Sequence, residues 1–287
     1  MDTKNVFLEV KDYSVSGERF QLLYNNELDM LETFPQPEID TLANYYKSKD
    51  YISHTDSKRN LFEKVYHWVR NYSLQQKLKL INKYSSQPNS LLDIGCGTGD
   101  FLATAQKAGW EIQGVEPDAG ARVIANKKTS NSVKDVEALE DFANASFDVI
   151  TLWHVLEHLP NLDEQIKILD KLLKPEGTLI LAVPNFKSYD ATHYKEFWAA
   201  YDVPRHFWHF SQDTISKLFS EVGMCVVQTK PMIFDSYYVS LLSEKYKSGK
   251  MKMLSAFFTG FISNRKAKRS GEYSSLIYIL KKDENLK

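Results

Sequence analysis

Three glycines spaced two residues apart carry the first pattern in this sequence that indicates chemistry. Gly95, Gly97 and Gly99 stand between a short apolar run and a helix-forming segment, and Asp93 precedes the first glycine by two residues. At a strand-to-helix turn, glycine lets the backbone approach a ligand without obstruction by a Cβ atom. The first N–H groups of the helix then face the ligand. The pattern predicts a ligand-binding turn at the end of a buried parallel strand.

An acidic residue, Glu116, ends the next apolar segment of the chain. Asp100 occupies the position at which a dinucleotide-binding turn has its third glycine. The glycine spacing therefore disfavours a dehydrogenase.

His154, Glu157 and His158 form the sequence H-x-x-E-H, which is also the spacing of an inverted zinc-protease motif. On a helix the two histidines would share one face, with the glutamate as a base. However, Pro160 leaves little room for a helix. The segment also follows the fourth predicted strand, at the edge where doubly wound folds bind their ligands. A peptidase is therefore disfavoured.

Length and composition limit the class of protein. The chain has 287 residues, 43% of them hydrophobic, and a formal net charge of −1. That length can bury a substantial core in one elaborated domain, and the balanced charge argues against nucleic acid as a partner. The two cysteines are far apart, and the first residues lack the apolar core of a signal peptide. We expect a soluble cytoplasmic protein without disulfides.

The glycine turn, Glu116 and the Phe-Asp-Val-Ile opening of the fourth strand at residues 147–150 together resemble class I S-adenosylmethionine-dependent methyltransferases of the small-molecule, ubiquinone-pathway type. The resemblance covers residues 75 to 283 and implies S-adenosylmethionine as the cofactor. It also implies methyl transfer to a small-molecule acceptor. A non-catalytic S-adenosylmethionine or nucleotide sensor, or a scaffold, is the alternative.

The resemblance assigns roles at the cofactor site. Glu116 would accept both ribose hydroxyls, and Asp93 would support the glycine turn and the amino group of the methionine part. Asp135 would accept the adenine amino group, with Glu137 as the alternative, while the backbone N–H of Val136 contacts the ring.

The predicted fold is α/β, a doubly wound, seven-stranded, mostly parallel sheet in the order 3-2-1-4-5-7-6, with the last strand antiparallel. The predicted units are a β-hairpin extension over 1–37, a helical cap over 38–84 and the methyltransferase domain over 85–287, with an acceptor-side insertion at 186–210 and a helical insertion at 231–272.

Polar and aromatic residues in the helical cap are candidates for closing over the cofactor, as helices at this position often do in the family. The alternative is a solvated loop between helices. The candidates are Tyr46, Tyr51, Ser53 and His54.

In ubiquinone-pathway O-methyltransferases, residues corresponding to His154, Glu157 and His158 have been associated with a divalent cation, and here His154 replaces an acidic ligand. We predict no metal and keep this cation as the alternative. In the metal-free prediction, His154 contacts the methionine end of the cofactor, and His158 positions the acceptor or accepts its proton.

The insertion at 186–210 contains the densest group of polar and aromatic residues. Aromatic walls can orient an acceptor and exclude water. His206 can remove a proton from a hydroxyl acceptor, and Arg205 can bind a carboxylate or phosphate. These residues favour transfer to oxygen, with nitrogen and carbon as the alternative acceptor atoms. The alternative is a cluster that ties the loop to the core.

The insertion at 231–272 is predicted to form two helices. Between Glu244 and Gly271 there are eight Lys or Arg and one acid, together with a run of Met, Leu and Phe. That composition is typical of an interfacial helix pair. Contact of residues 251–269 with a membrane, or with a lipid-linked or cell-envelope acceptor, is therefore one hypothesis. A substrate cap or a homodimer contact is the favoured interpretation.

Overall fold

The computed structural model describes residues 5–46, 61–85 and 89–283, without the side chains of residues 39 and 61–67. Eleven strands are present in these ranges: β1 Asn5–Lys11, β2 Arg19–Asn25, β3 Met30–Phe34, β4 Ser90–Ile94, β5 Glu111–Val115, β6 Val133–Lys134, β7 Phe147–Trp153, β8 Leu173–Pro184, β9 Trp208–His209, β10 Met224–Pro231 and β11 Ser275–Lys282. The α-helices are α1 Ile39–Leu42, α2 Leu61–Tyr84, α3 Asp100–Lys107, α4 Ala119–Lys128, α5 Leu162–Leu172, α6 Tyr189–Tyr194, α7 Gln212–Ser220, α8 Asp235–Ser248 and α9 Met253–Ser270.

Seven strands form the main sheet in the order β10-β11-β8-β7-β4-β5-β6. The central pairs are parallel, and β11 is antiparallel to both of its neighbours. The predicted fold class and strand order are therefore confirmed. Ile94 at the end of β4 is in register with Val115 of β5 and Leu152 of β7. The turns that follow these three strands consequently meet at one edge of the sheet.

Helices cover both faces of this sheet. On one face, α5 and α7 contribute Ile166, Leu169 and Phe219 to a core that includes Leu92 and Leu152. On the other face, α2, α3 and α4 pack against the strand side chains that point to that face. The helices contribute the buried residues Leu80, Ile81, Phe101, Leu102 and Ala125. Because successive strand residues point to opposite faces, the central strands are apolar on both sides.

The N-terminal segment forms more than the predicted hairpin. Strands β1, β2 and β3 are antiparallel, and β9, from the insertion at 186–210, adds to β3 to complete a four-stranded sheet. Phe20, Leu22 and Leu31 of this sheet pack on Trp198 and Tyr201 of the insertion. The extension and the insertion therefore share one hydrophobic core.

The predicted helical insertion is present as α8 and α9. Helix α9 buries its small residues, such as Ala256, Gly260 and Ser263, while Leu254 and Phe258 are 78% and 59% exposed. In the part of the chain that is described, no helix combines the length and apolar content needed to cross a membrane. The proposed closing residues Tyr51, Ser53 and His54 lie outside the described residues.

Candidate active site

The glycine turn between β4 and α3 has three left-handed glycines. A Cβ atom on Gly95 would lie 2.5 Å from Val155 Cγ2, and one on Gly99 would lie 2.9 Å from Ala125 Cβ. A Cβ atom on Gly97 would meet nothing within 4 Å among the described residues, although its φ is +54°. Two glycines thus permit close packing, while the third leaves open space at the backbone where a ligand can approach.

The carboxylate of Glu116 closes this turn. Its Oε2 accepts the Gly97 N–H at 2.8 Å, and its Oε1 accepts the Asp118 N–H at 3.0 Å. The side chain therefore has two acceptor oxygens beside the open face of Gly97. This arrangement fits a ribose, whose two hydroxyls can donate to the remaining lone pairs.

Asp93 lies beneath the turn, on β4. It is 3% exposed and accepts a 2.6 Å hydrogen bond from Thr151 Oγ1. Burial raises the pKa of Asp93 to about 7, although the Thr151 hydrogen bond and the positive charge of Lys77 oppose the rise. Lys77, from α2, has its Nζ 4.2 Å from the centroid of the Trp153 ring. Burial lowers the pKa of Lys77 to about 8.

His154 adopts φ +58° at the end of β7 and is not part of a helix. Its Nδ1 is 3.3 Å from Glu157 Oε1, and its Nε2 is 3.0 Å from Asp235 Oδ2. Burial alone would lower the pKa of His154, but these two carboxylates outweigh it and raise the pKa to about 10. The imidazole is therefore a cation that donates from both nitrogens. The single 3-10 turn Leu156–His158 that follows does not build a protease-type helix.

His158 and His206 form a pair of imidazoles next to this segment, with ring centroids 4.4 Å apart and planes nearly perpendicular. His158 Nδ1 lies 3.1 Å from the Arg205 carbonyl oxygen and 3.1 Å from the Tyr46 hydroxyl. Burial and the neighbouring His158 hold the pKa of His206 well below its usual value. The structure thus brings together two predicted acceptor-side residues, His158 from the segment after β7 and His206 from the insertion at 186–210.

Arg205 is buried in contacts with its own chain. Its guanidinium pairs with Asp202 at 2.7 Å and Asp12 at 3.1 Å, and it donates to the Tyr45 carbonyl at 2.8 Å and to Ser14. These contacts leave the guanidinium engaged with carboxylates of the fold instead of facing an acceptor. They favour a role in holding the insertion to the β1–β2 turn.

The aromatic residues of the insertion are likewise core residues. Trp198 and Tyr201 are each 2% exposed and stack edge to face, and Trp198 Nε1 donates to Asp190 at 2.8 Å. The expected aromatic walls of an acceptor pocket are therefore not supplied by these two side chains.

A family model described as a methyltransferase domain matches residues 65–229, more than half of the chain. The chain belongs to this family. The matched residues include the glycine turn, Glu116 and the H-x-x-E-H segment. The predicted class I S-adenosylmethionine-dependent methyltransferase family, and S-adenosylmethionine as its cofactor, are thus confirmed.

Relatives of this methyltransferase domain differ in the atom they methylate. A ubiquinone biosynthesis O-methyltransferase of Actinobacillus pleuropneumoniae is 31% identical over 106 residues, which are 33% of this chain and 45% of that protein. A sterol 4-C-methyltransferase of Caenorhabditis elegans is 34% identical over 98 residues, which are 31% of this chain and 29% of that protein. The chain therefore spans less than half the length of either relative.

Among solved structures, magnesium protoporphyrin IX methyltransferase from Synechocystis PCC 6803 superposes with a TM-score of 0.52 at 16% identity. The superposition covers 85% of this chain and 94% of that one. At this identity the likeness shows the shared fold alone.

At the adenine end of this methyltransferase domain, Asp135 caps the 3-10 turn Val136–Leu139 by accepting the Val136 N–H at 2.7 Å. Its other oxygen pairs with Arg122 at 2.7 Å. The Asp135 carboxylate and the Val136 N–H, which were predicted to contact adenine, thus have partners within the chain. Their contacts with the adenine ring stay predictions.

Sequence reasoning missed Lys77, which lies against Trp153, and Asp235, which pairs with His154. Lys77 gave a usable signal, since it interrupts the apolar stripe that Leu74, Leu78 and Ile81 form on α2. Asp235 gave no such signal, because it reaches His154 from 81 residues away.

Proposed function

We propose that this chain transfers the methyl group of S-adenosylmethionine to a hydroxyl oxygen of a small-molecule acceptor. The observation that carries the proposal is the imidazole pair at the cofactor edge. Val155, three residues before His158, packs directly on Gly95 of the glycine turn. The pair therefore stands at the end of the cofactor site where the methionine part would lie.

A hydroxyl acceptor must lose its proton, whereas a neutral amine can react without a base. Bound S-adenosylmethionine supplies an electrophilic methyl group, so that one S–C bond breaks while one O–C bond forms. In the chain, Glu116 and Asp93 hold the cofactor, and the imidazole pair receives the hydroxyl proton. A pair of imidazoles that can accept a proton favours oxygen over nitrogen as the acceptor atom.

The outer face of α9 favours an acceptor that is lipid-linked or lies at a membrane. Large apolar side chains of α9 are exposed, while its small side chains pack inward. A helix that only fills a core would instead bury its large apolar side chains. The exposed residues are Met253, Leu254, Phe257, Phe258, Phe261 and Ile262 of α9, together with Met251 just before it. Basic residues flank them on both sides and suit anionic headgroups.

The first experiment separates cofactor binding from transfer. Calorimetric titration with S-adenosylmethionine should show binding that Glu116→Gln weakens by about 30-fold, since about 2 kcal/mol is lost when charged hydrogen bonds become neutral. The exposed Glu140→Gln is the matched control. Unchanged binding in Glu116→Gln would contradict the assigned ribose contact.

Transfer is then tested with phenol, alcohol, amine and activated-carbon acceptors. His158→Gln should lower kcat on hydroxyl acceptors by roughly 100-fold and leave the Kd of the cofactor unchanged, while the exposed His193→Gln behaves as wild type. Methylation of amines or carbon acceptors alone would overturn the oxygen assignment.

Membrane contact is tested by co-sedimentation with anionic and with neutral phospholipid vesicles. We expect binding to anionic vesicles that Leu254→Asp/Phe258→Asp abolishes and that Val227→Asp, at another exposed apolar residue, retains. Absence of the wild-type protein from both pellets would remove this part of the proposal, and a concentration-dependent dimer lost in the double variant would assign the face to a second copy.

A further inference from the structure

Three aromatic side chains at the surface form a row that is not part of the hydrophobic cores of the described residues. Trp68 and Tyr72 lie one helical turn apart on α2, with ring centroids 5.8 Å apart and planes at 18°. Phe234, the residue before α8, meets Tyr72 edge to face at 5.8 Å. Trp68 is 61% exposed and Tyr72 is 42% exposed, while Phe234 is half-buried. We call these three side chains the aromatic row.

Packing of α2 on the sheet does not account for the aromatic row. The helix packs on the sheet through other side chains, Leu74, Leu78 and Ile81. Exposed aromatic rings keep apolar surface in contact with water, which is unfavourable. Neighbouring exposed apolar side chains of this size are typical of a surface that binds a ligand. The aromatic row is therefore a candidate binding surface.

Two contacts tie the aromatic row to the cofactor edge. Arg70 of α2 donates a hydrogen bond to Asp100, the first residue after the glycine turn. At the other end of the row, Asp235 directly follows Phe234 and accepts a hydrogen bond of 3.0 Å from His154. One end is thus held at the glycine turn and the other at the segment after β7.

Apolar surface extends from the aromatic row to the exposed face of α9. Tyr237, whose N–H donates to the Phe234 carbonyl at 3.1 Å, stacks on Phe257 of α9 with ring centroids 5.5 Å apart. Phe257 in turn meets Phe258 at 5.9 Å. The two helices approach closely here, since a Cβ atom on Gly260 would lie only 2.8 Å from Tyr237 Cδ1. The row and the outer face of α9 are therefore parts of one apolar surface.

The orientation of the rings favours a flexible hydrocarbon chain over a flat ligand. The planes of Tyr72 and Phe234 are at 83°, so one flat ring can stack on only one of them. Trp68 and Tyr72 already share a face. A chain that bends can contact all three side chains, because apolar contact has no preferred direction.

The size of the aromatic row argues against a second protein chain as its occupant. Three aromatic side chains can bury about 150 to 250 Å² each, which together is less than the about 800 Å² per partner of a stable protein interface. A single hydrocarbon chain needs no more surface than the row offers.

We propose that the aromatic row binds the hydrocarbon chain of the methyl acceptor, an alkyl or isoprenoid chain that extends from the cofactor edge toward α9. The inference rests on the proposed function in one respect, namely that the acceptor is lipid-linked. Binding of the chain, remote from the reacting hydroxyl, supplies free energy that orients the hydroxyl at the cofactor. The three aromatic residues are positioning residues, since they contact the unreactive part of the acceptor.

The test titrates the full chain, without cofactor, with the primary alkanols hexanol, octanol and decanol in a calorimeter. We expect the affinity to rise about two- to fourfold per CH₂ group, because the row covers part of the surface of each added group. Tyr72→Ser and Phe234→Ser should each weaken decanol binding by roughly tenfold. Val123→Ser, which removes an exposed apolar side chain from α4, is the matched control and should not.

A brominated alkanol locates the bound chain. Bromine quenches the fluorescence of an indole that it contacts, so ω-bromododecanol should quench part of the tryptophan emission of the wild-type chain. Trp68→Phe, which keeps an apolar ring, should bind the alkanol and lose this quenching. Quenching that persists in Trp68→Phe would place the chain elsewhere and overturn the inference.

Two further variants separate this inference from the proposed function. Glu116→Gln, which weakens the cofactor site, and Leu254→Asp/Phe258→Asp, which alters α9, should both retain decanol binding. Affinity that does not depend on chain length, or equal affinity in Tyr72→Ser and wild type, would overturn the inference. So would binding of naphthol in place of decanol, or a dimer that Tyr72→Ser dissociates. Retained decanol binding without methyl transfer to any hydroxyl acceptor would contradict the proposed function alone.

Discussion

Replacement of Asp235 by Asn tests whether the helical insertion is tied electrostatically to the cofactor edge. Asp235 is the first residue of α8, and its Oδ2 accepts a hydrogen bond of 3.0 Å from the protonated His154. The substitution keeps the size of the side chain and removes its charge. It should therefore release α8 from the segment after β7 without creating a cavity.

The magnitude follows from the pKa of His154. A rise from 6.5 to about 10 corresponds to at most about 5 kcal/mol. The His154 side chain is 35% exposed, so solvent screens part of this energy, and Glu157 shares the remainder. We assign about 2 kcal/mol to Asp235, in the range of hydrogen bonds to charged groups. In a chain of this length that loss lowers Tm by about 4 °C.

The pH dependence gives the sharper test. Because folding raises the pKa of His154, the stabilisation is fully present below pH 6.5 and is lost as pH rises through about 10. The difference in Tm between wild type and Asp235→Asn should therefore be about 4 °C at pH 6 to 7 and should vanish above about pH 10. Differential scanning fluorimetry at several pH values measures it.

Asp213→Asn is the matched control, since Asp213 also lies in the first turn of a helix, is exposed and pairs with no histidine among the described residues. It accounts for the interaction of an acidic residue with the helix dipole, a few tenths of a kcal/mol. Equal Tm values for wild type and Asp235→Asn at pH 7, or a difference that persists unchanged above pH 10, would refute the reasoning.

Four further predictions concern other parts of the site. Gly95→Ala should lower the free energy of unfolding by about 2 to 3 kcal/mol in urea titrations, because its Cβ would strike Val155 in a left-handed conformation. Gly97→Ala should cost only about 1 kcal/mol, yet weaken S-adenosylmethionine binding at least about tenfold by filling the open face; equal binding would contradict this. Cofactor affinity should fall below pH 7 as Asp93 gains a proton, and calorimetry of Asp93→Asn should show no such fall. Arg205→Met should lower the free energy of unfolding by about 3 to 5 kcal/mol, because it leaves the buried Asp12 carboxylate and the partly buried Asp202 carboxylate without their cation. A loss under about 1 kcal/mol would exclude a role of Arg205 in holding the insertion to the β1–β2 turn.

At the cofactor edge, the order of residues along the chain was sufficient. Gly95 and Glu116 each follow directly on a strand of the parallel sheet, and Gly97 lies two residues beyond Gly95. Parallel strands that pair in register end at the same edge. The apolar runs and glycine spacing therefore predicted the fold and the meeting of these residues, and the family resemblance that these residues carry predicted the cofactor. No long-range packing had to be known.

At the acceptor edge, composition could not decide between a pocket and a packed core. Trp198 and Arg205 suit an acceptor site by residue type, yet one is core and the other is paired with Asp12, 193 residues earlier. A buried ion pair within the protein and a binding site for an anionic acceptor need the same basic side chain. Only the fold shows whether the anion that pairs with it is a carboxylate of the chain or a ligand.

By itself, then, the sequence determined the sheet and the position of the glycine turn, because both depend on local periodicity and on strand order. Only the tertiary structure decided that Asp235 holds His154 and that His206 joins Glu157 and His158. Those contacts depend on how two long insertions fold back over the edge of the sheet, and no periodicity in the sequence encodes that path.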